Sequence, residues 1–205
     1  MRLMIFIIVA CLSAAALSCG GSAPARNTKT GLVTGVQPVA DPEVAVIEME
    51  NGSAYGTITM ELYSNIAPKM VAQFKTLAKE GVYDGTTFHR INASVIQGGD
   101  PNSKDDDPAN DGMGSSNKPN VTAEFSDIPY DTGILGAARS QDKNSANSQF
   151  FITLKREPGF DKNYTIFGKV IDGMNNVRTI SGVTPKVGER PVEAVRIKSI
   201  TIKPR

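Results

Sequence analysis

Between Phe88 and Pro101 the chain reads FHRINASVIQGGDP, and no other stretch limits the fold as closely. Alternation over Phe88 and Arg90, and again over Val95 and Gln97, describes two short strands whose polar members share one face. A sheet that carries an arginine and a glutamine on one face offers a ligand a fixed array of hydrogen-bond donors. A second stretch, Ser145 to Leu154 (SANSQFFITL), has the same character. It sets Gln149 and Phe151 on one side of a strand and Phe150 and Ile152 on the other.

The other runs are also short. Val44 to Glu50 and Gly56 to Leu62 alternate apolar and polar residues around the turn dipeptide Asn51-Gly52, which predicts a hairpin. Pro68 suits a first helical position, and Val71, Phe74, Leu77 and Ala78 recur at helical spacing until Gly81 ends the run. Gly133 to Ala138, Gln149 to Leu154, Thr165 to Ile171 and Val195 to Lys203 read as further strands, and Met174 to Ile180 as a second helix. Short strands parted by turns, with two isolated helices, predict a mainly β fold, a closed antiparallel barrel capped by the helices.

Composition narrows the function classes. A chain of 205 residues that is 40% hydrophobic and 21% charged suits one globular domain with a real core. Lysine and arginine total 22 against 21 acids, so the net charge of +1 gives no electrostatic reason to propose nucleic acid as a partner. The only cysteines, Cys11 and Cys19, lie near the N-terminus, which leaves no disulfide framework and no cysteine zinc site. Asn102 to Pro119 is a long polar loop with three consecutive aspartates, Asp105 to Asp107. Calcium loops space their ligands at alternate positions with a late bidentate glutamate. This run does not, and a solvated acidic loop is the preferred reading.

Residues 1–18 begin with Arg2 and continue as an apolar run shorter than the ~20 residues of a membrane-spanning helix, which predicts a secretion signal. Small residues precede Cys19, and Gly20, Gly21 and Ser22 follow it, a pattern that resembles bacterial lipoproteins, with Ala16 where leucine is usual. Ordinary cleavage after Ala16, leaving a free thiol, is the alternative. An unpaired cysteine in an exported protein is anomalous unless something uses it, and lipidation of Cys19 would. Residues 19–42 are rich in glycine, serine, threonine and proline and predict a flexible tether, with the folded domain over 43–205.

Five ordered motifs now stand together: FHR at Phe88 to Arg90, QGGDP at Gln97 to Pro101, GILGAAR at Gly133 to Arg139, SQFFI at Ser148 to Ile152, and FGKV at Phe167 to Val170. With them the chain resembles the cyclophilins, peptidyl-prolyl cis-trans isomerases, from about Val44 to Lys203. The resemblance implies an eight-stranded barrel and a peptide-binding groove. It makes Arg90 the catalytic donor and Gln97 the partner that orients it. Phe151 and Phe160 match apolar positions of the proline pocket, and Tyr164 stands where the family has histidine or tyrosine. Gln149, Ala138 and Ser140 match groove residues that hold the peptide backbone. Without the motif, Phe151 would read as ordinary core.

Such chemistry needs no nucleophile, cofactor or metal. The X-Pro amide resists rotation by about 18–20 kcal/mol, and catalysis needs a grip on the proline ring and a donor that favours the twisted amide. A guanidinium serves because it stays charged and offers several fixed donors. His89, the one histidine, is placed by alternation away from Arg90 and lacks a nucleophile with a supporting carboxylate, so a structural role is preferred to a general base.

The chain also departs from the family. Between arginine and glutamine, relatives usually carry seven residues containing Pro-Gly-Phe-Met, and this chain has six, Ile91 to Ile96. Ser94 and Val95 are the nearest counterparts of the missing wall residues, and a lost aromatic wall forfeits up to ~3 kcal/mol of burial, which predicts weaker activity. Gly159 replaces a tryptophan that contacts cyclosporin in many relatives, which implies poor sensitivity to that drug. The sequence thus predicts a monomeric prolyl isomerase of the bacterial cell envelope, lipid-anchored through Cys19, acting on unfolded exported proteins. The alternative is a non-catalytic proline-peptide-binding or chaperone module on the same barrel.

Overall fold

The structure, a computed structural model, describes residues 31–105, 107–184 and 186–205, with Lys186 described by its backbone alone. The expected signal peptide, the expected lipidation of Cys19 and the first part of the expected tether lie outside the described residues.

Period-two alternation becomes a curled antiparallel sheet. Its strands are β1 (Glu43–Met49), β2 (Thr57–Leu62), β3 (Arg90–Ile91), β4 (Val95–Gly98), β5 (Ile134–Ala137), β6 (Phe150–Thr153), β7 (Ile166–Asp172) and β10 (Ile197–Pro204), in the spatial order β10-β1-β2-β7-β5-β6-β4-β3. A separate hairpin is made by β8 (Lys186–Val187) and β9 (Arg190–Pro191). The curl brings the outer strands together. Thr87 and Arg196 form an antiparallel bridge, Phe88 N donates to Val195 O at 2.9 Å, and Ile197 N donates to Thr86 O at 2.7 Å. The strand number and direction are those expected. The seam is a short bridge rather than a full ladder, because β3 has only two residues.

The inward side chains of the sheet, among them Ile47, Ile58, Met60, Phe150, Ile152 and Ile200, form one buried core. Two helices, α2 (Pro68–Lys79) and α3 (Met174–Ser181), bury their apolar stripes in it. Phe74 of α2 meets Tyr83, Phe150 and Phe167 at ring-centroid distances of 5.2, 5.7 and 5.3 Å. No side chain at Ala67 caps α2. The carboxylate of Glu124, buried and distant in sequence, accepts from Lys69 N and Met70 N instead. A negative charge is favourable there because the first helical N–H groups lack partners and carry the positive end of the dipole.

Two local expectations change. The tight turn expected at Asn51-Gly52 is one helical turn, α1 (Gly52–Tyr55), because Asn51 uses its side chain as a helix cap, accepting from Ala54 N at 3.3 Å. The chain expected to be tether is already docked from residue 33. Val33 is buried and bridges to Ser126, Gly35 N donates to Asp127 Oδ2, and Asn65 exchanges hydrogen bonds with Val39 N and Gln37 O. Val33 packs in a second apolar cluster with Tyr63, Ile66, Tyr130, Ile134 and Phe151, outside the main core. Leu32, Val33 and Val36 are scattered apolar residues in a glycine- and threonine-rich stretch and describe no sustained period, so only the receiving cluster makes Val33 structural.

Asp41 closes this strap. Its carboxylate accepts from Ser64 N and Oγ and from Lys75 Nζ of α2 at 2.6 Å, and Lys75 also meets Glu43. Burial pushes the Asp41 carboxyl up, but the hydrogen bonds from Lys75 and Ser64 outweigh it and hold it below its usual range. A carboxyl depressed by folding adds stability that is present above its unfolded pKa and is lost as pH falls through the folded one. Asp41→Asn is therefore expected to cost about 1–2 kcal/mol at pH 7 in urea unfolding. The gap between variant and wild type should narrow below about pH 4.

Candidate functional site

Register assembles the site. Arg90 lies opposite Gln97, Gln97 opposite Phe151, and Phe151 opposite Gly136, so one row crosses β3, β4, β6 and β5. Directly opposed residues of antiparallel strands present their side chains to the same face. The neighbouring row of Ile91, Ile96, Ile152 and Leu135 turns inward to the core. The first row therefore turns outward. Gln149, one residue before β6, joins it, as alternation with Phe151 predicts.

The polar members form a directional chain. Arg90 Nη1 donates to Gln97 Oε1 at 3.2 Å, and Gln97 Nε2 donates to Gln149 Oε1 at 2.9 Å. Gln149 Nε2 donates in turn to the carbonyls of Gly112 and Gly114 at 3.0 and 2.9 Å. Those carbonyls are held in place by Asp100, fully buried, whose carboxylate accepts from Asn102 N, Gly112 N and Gly114 N. Each amide has its orientation dictated by its neighbours. At the head of the chain, Arg90 Nε pairs with Glu189 Oε2 at 2.5 Å.

Beside Arg90 opens a compact hollow of about 80 Å³, walled by Val95, Gln97, Ala138, Arg139, Phe151, Phe160 and Tyr164. Its floor is an aromatic nest. Phe151 stacks on the buried Tyr130 at 5.8 Å and takes Phe160 and Tyr164 edge-on at 5.5 and 5.6 Å. Arg139 holds its guanidinium 4.5 Å from the centroid of Tyr164 and donates to the carbonyl of Asn163. A second, polar hollow of about 270 Å³ adjoins it, lined by Gln97, Gly112–Ser115, Asn120, Ala138–Ser140, Ser145, Asn147 and Gln149. Two open hollows, each smaller than a typical enclosed ligand pocket, suit an extended peptide gripped at two places. Every site residue picked out from the sequence within the described chain lines one hollow or both.

The short link between Arg90 and Gln97 has a local cause. Asn92 Oδ1 accepts from Ser94 N and Val95 N, and Asn92 N donates to Val95 O, closing a tight side-chain-stabilised turn. The turn leaves Val95 in the wall of the compact hollow, while Ser94 lines neither hollow. His89 is buried on the other side of the chain, beneath Gly112. Burial holds its pKa below the usual value despite the carboxylates of Asp100 and Asp111 nearby. In the acidic loop, Asp105 accepts from Asp107 N and Asn110 Nδ2, and among the described residues no cluster of three metal-ligating side chains occurs.

Three contributors escaped the sequence reading. Gly136 is a glycine inside a strand, a signal of close approach: an added Cβ would lie 2.3 Å from Phe151 Cζ. Tyr130 gave no periodic signal because it sits in a loop. Glu189 is 99 residues from Arg90 and carries no local mark at all.

Comparison with known proteins supplies the family. Residues 46–202 match the model of the cyclophilin type peptidyl-prolyl cis-trans isomerase/CLD family. A probable peptidyl-prolyl cis-trans isomerase of Brucella suis is 45% identical over 147 residues, covering 69% of this chain and 73% of the relative. The isomerase ppi1 of Schizosaccharomyces pombe is 36% identical over 161 residues, covering 75% of this chain and 96% of the relative. Among solved structures, a Cryptosporidium parvum cyclophilin type isomerase crystallised in the presence of the dipeptide Ala-Pro matches with a TM-score of 0.70 and 31% identity, covering 79% of this chain and 99% of that one.

The contact between Gly136 and Phe151 makes the aromatic floor testable. Gly136→Ala is expected to push the Phe151 ring toward Phe160 and Tyr164. Urea unfolding should register a loss of about 1–3 kcal/mol, the usual cost of overpacking, and aromatic NMR resonances of Phe160 and Tyr164 should shift.

Proposed function

This chain belongs to the cyclophilin-type peptidyl-prolyl cis-trans isomerases, and on that premise we propose how its groove works and where it acts. The proline ring of an X-Pro segment occupies the compact hollow over Phe151, between Val95, Phe160 and Tyr164. Arg90 stands at the mouth of that hollow, and this placement carries the reading. Its Nε and one N–H of Nη1 are engaged by Glu189 and Gln97, which leaves three of the five guanidinium N–H donors for the substrate.

Rotation about the X-Pro bond breaks amide resonance and returns a lone pair to the prolyl nitrogen. A donor near that nitrogen, and another on the prolyl carbonyl, favour the twisted state over either planar one, and only such differential binding accelerates the step. Gln97 fixes the guanidinium and Gln149 fixes Gln97, so the donors need no reorganisation as the amide turns. The second hollow, with Ala138, Ser140 and Gln149, holds the chain that precedes the proline. His89 is buried and neutral and takes no part. Val95 offers less wall than an aromatic side chain, so the grip on proline is loose.

We assign the activity to the folding of exported proteins in a bacterial envelope, with the domain anchored by a lipid on Cys19. The N-terminal pattern over 1–22 supports this reading. With Val33 already docked, residues 20–32 alone would connect lipid to domain, a reach of at most roughly 45 Å. The anchor would therefore keep the groove close to the membrane surface.

Two experiments test these assignments. Arg90→Ala is expected to lower kcat/KM for cis-to-trans isomerisation of a short X-Pro peptide by about 100-fold or more. The wild-type rate should be flat from about pH 6 to 8, since a guanidinium does not titrate there. Full activity in Arg90→Ala, or a steep profile across that range, would remove Arg90 from its role. For the anchor, the chain expressed in bacteria should fractionate with membranes and Cys19→Ser should not; equal solubility of the two would remove the lipid.

A further inference from the structure

Arg90 lies on a two-residue edge strand, and its side chain is 47% exposed. A free arginine side chain carries about 2 kcal/mol of rotamer entropy, so a half-exposed one does not hold a fixed direction unaided. The bond to Gln97, at 3.2 Å, restrains one terminal nitrogen and leaves the guanidinium plane free to swing about it. A second restraint at a different atom is needed to set that plane.

Glu189 supplies it from the turn of the β8–β9 hairpin. Its Oε2 accepts from Arg90 Nε at 2.5 Å, its Oε1 from Asn92 Nδ2 at 2.9 Å, and its backbone carbonyl from Ile91 N at 2.6 Å. Three consecutive residues, Arg90 to Asn92, are thus tied to one glutamate. Asn92 is also the residue that closes the turn before Val95. Among the described residues Glu189 is the only carboxylate paired with Arg90. Hydrogen bonds from Asn92, and then from Arg90, hold its carboxyl below the usual range, so it is ionised at neutral pH.

The hairpin itself is seated. Arg190, the next residue, pairs with Asp111, whose side chain is only 5% exposed and which precedes the Gly112 carbonyl that Gln149 grips. Glu189 and Arg190 therefore tie the hairpin to the two ends of the Arg90–Gln97–Gln149 chain. A surface ion pair held only by itself is worth little. This one is backed by a docked hairpin at one end and a capped turn at the other.

We propose that Glu189 is a positioning residue for Arg90: by holding Nε it sets the guanidinium plane and directs the free Nη donors at the amide over the compact hollow. The proposal rests on the assignment of Arg90 as the donor to the twisted amide. Glu189 lines neither hollow, and the Asn92 turn that sets Val95 keeps its own bonds to Ser94 N and Val95 N, so the loss of Glu189 falls mainly on turnover.

The test is a double-mutant cycle on the purified chain, with Glu189→Ala, Glu189→Gln, Arg90→Ala and the Arg90→Ala/Glu189→Ala pair. Each is assayed for kcat and KM on a short X-Pro peptide, and the variants that keep Arg90 are also examined by the Nε–Hε NMR signal of its guanidinium. Glu189→Ala is expected to lower kcat by about ten- to a hundredfold, since a misplacement of about 1 Å can cost a hundredfold, with KM within about twofold. The Arg90 Nε–Hε signal should shift and exchange faster with water. Glu189→Gln, which keeps one acceptor for Nε, should recover to within about threefold of wild type. In the Arg90→Ala background Glu189→Ala should change nothing further.

Unchanged kcat in Glu189→Ala, while Arg90→Ala is inactive, would overturn the proposal and leave the Arg90 assignment standing. Full activity in Arg90→Ala would overturn that assignment first. A further loss in the double variant would show that Glu189 acts on the fold rather than through Arg90, and a rise in KM equal to the fall in kcat/KM would show that it acts on binding rather than turnover; either would also overturn the proposal.

Discussion

The site depends on one register. Arg90, Gln97, Phe151 and Gly136 fall opposite one another on four neighbouring strands, and an antiparallel ladder obliges such residues to share a face. A slip of one residue at any of these pairings would exchange the outward row for Ile91, Ile96, Ile152 and Leu135. Burying that row in the core is what prevents the slip. The same alternation that stabilises the fold therefore aligns the donor, its orienting amide and the aromatic floor.

Around this row runs a ring of polar contacts. It passes from Glu189 to Arg90, Gln97 and Gln149, on to the carbonyls of Gly112 and Gly114, and returns through Asp111 and Arg190 to Glu189. The ring closes through the chain itself at Asp111–Gly112 and Glu189–Arg190, and every hydrogen-bonded link has a fixed donor and acceptor, since the guanidinium only donates, the carboxylates only accept, and each glutamine does one with each end of its amide. Buried Asp100 pins the glycine segment from within. A ring of this kind is preorganised before substrate arrives. That is what a reaction without covalent chemistry requires of its enzyme.

The aromatic floor follows from a different balance. Phe151 can lie flat against the sheet only because residue 136 has no side chain, and Tyr130 then closes the space beneath it. Val33 reaches the same cluster from the N-terminal strap. Residues far from the donor thus determine how deep the compact hollow is. The short Asn92 turn sets one wall of the compact hollow at Val95.

Arg90, Gln97 and Gln149 were legible in the sequence because each lies in a run whose alternation assigns it a face without knowledge of any other strand, whereas Phe151 was separated from ordinary core only by the SQFFI motif. Pro68 and the spacing of Val71, Phe74, Leu77 and Ala78 marked α2 in the same local way. Asn51 misled because a turn signal and a helix cap use the same side-chain oxygen, and the following residues decide between them. Val33, Tyr130 and Glu189 were illegible because their roles exist only where distant segments meet. Local periodicity, a property of neighbouring residues, determined the strands and their polar face, and the ordered motifs tied that face to a family and its chemistry. Only the tertiary structure decided which strands are opposed, which glycine admits the phenylalanine ring and which carboxylate meets the arginine, because each of those is a contact across tens of residues that no local pattern records.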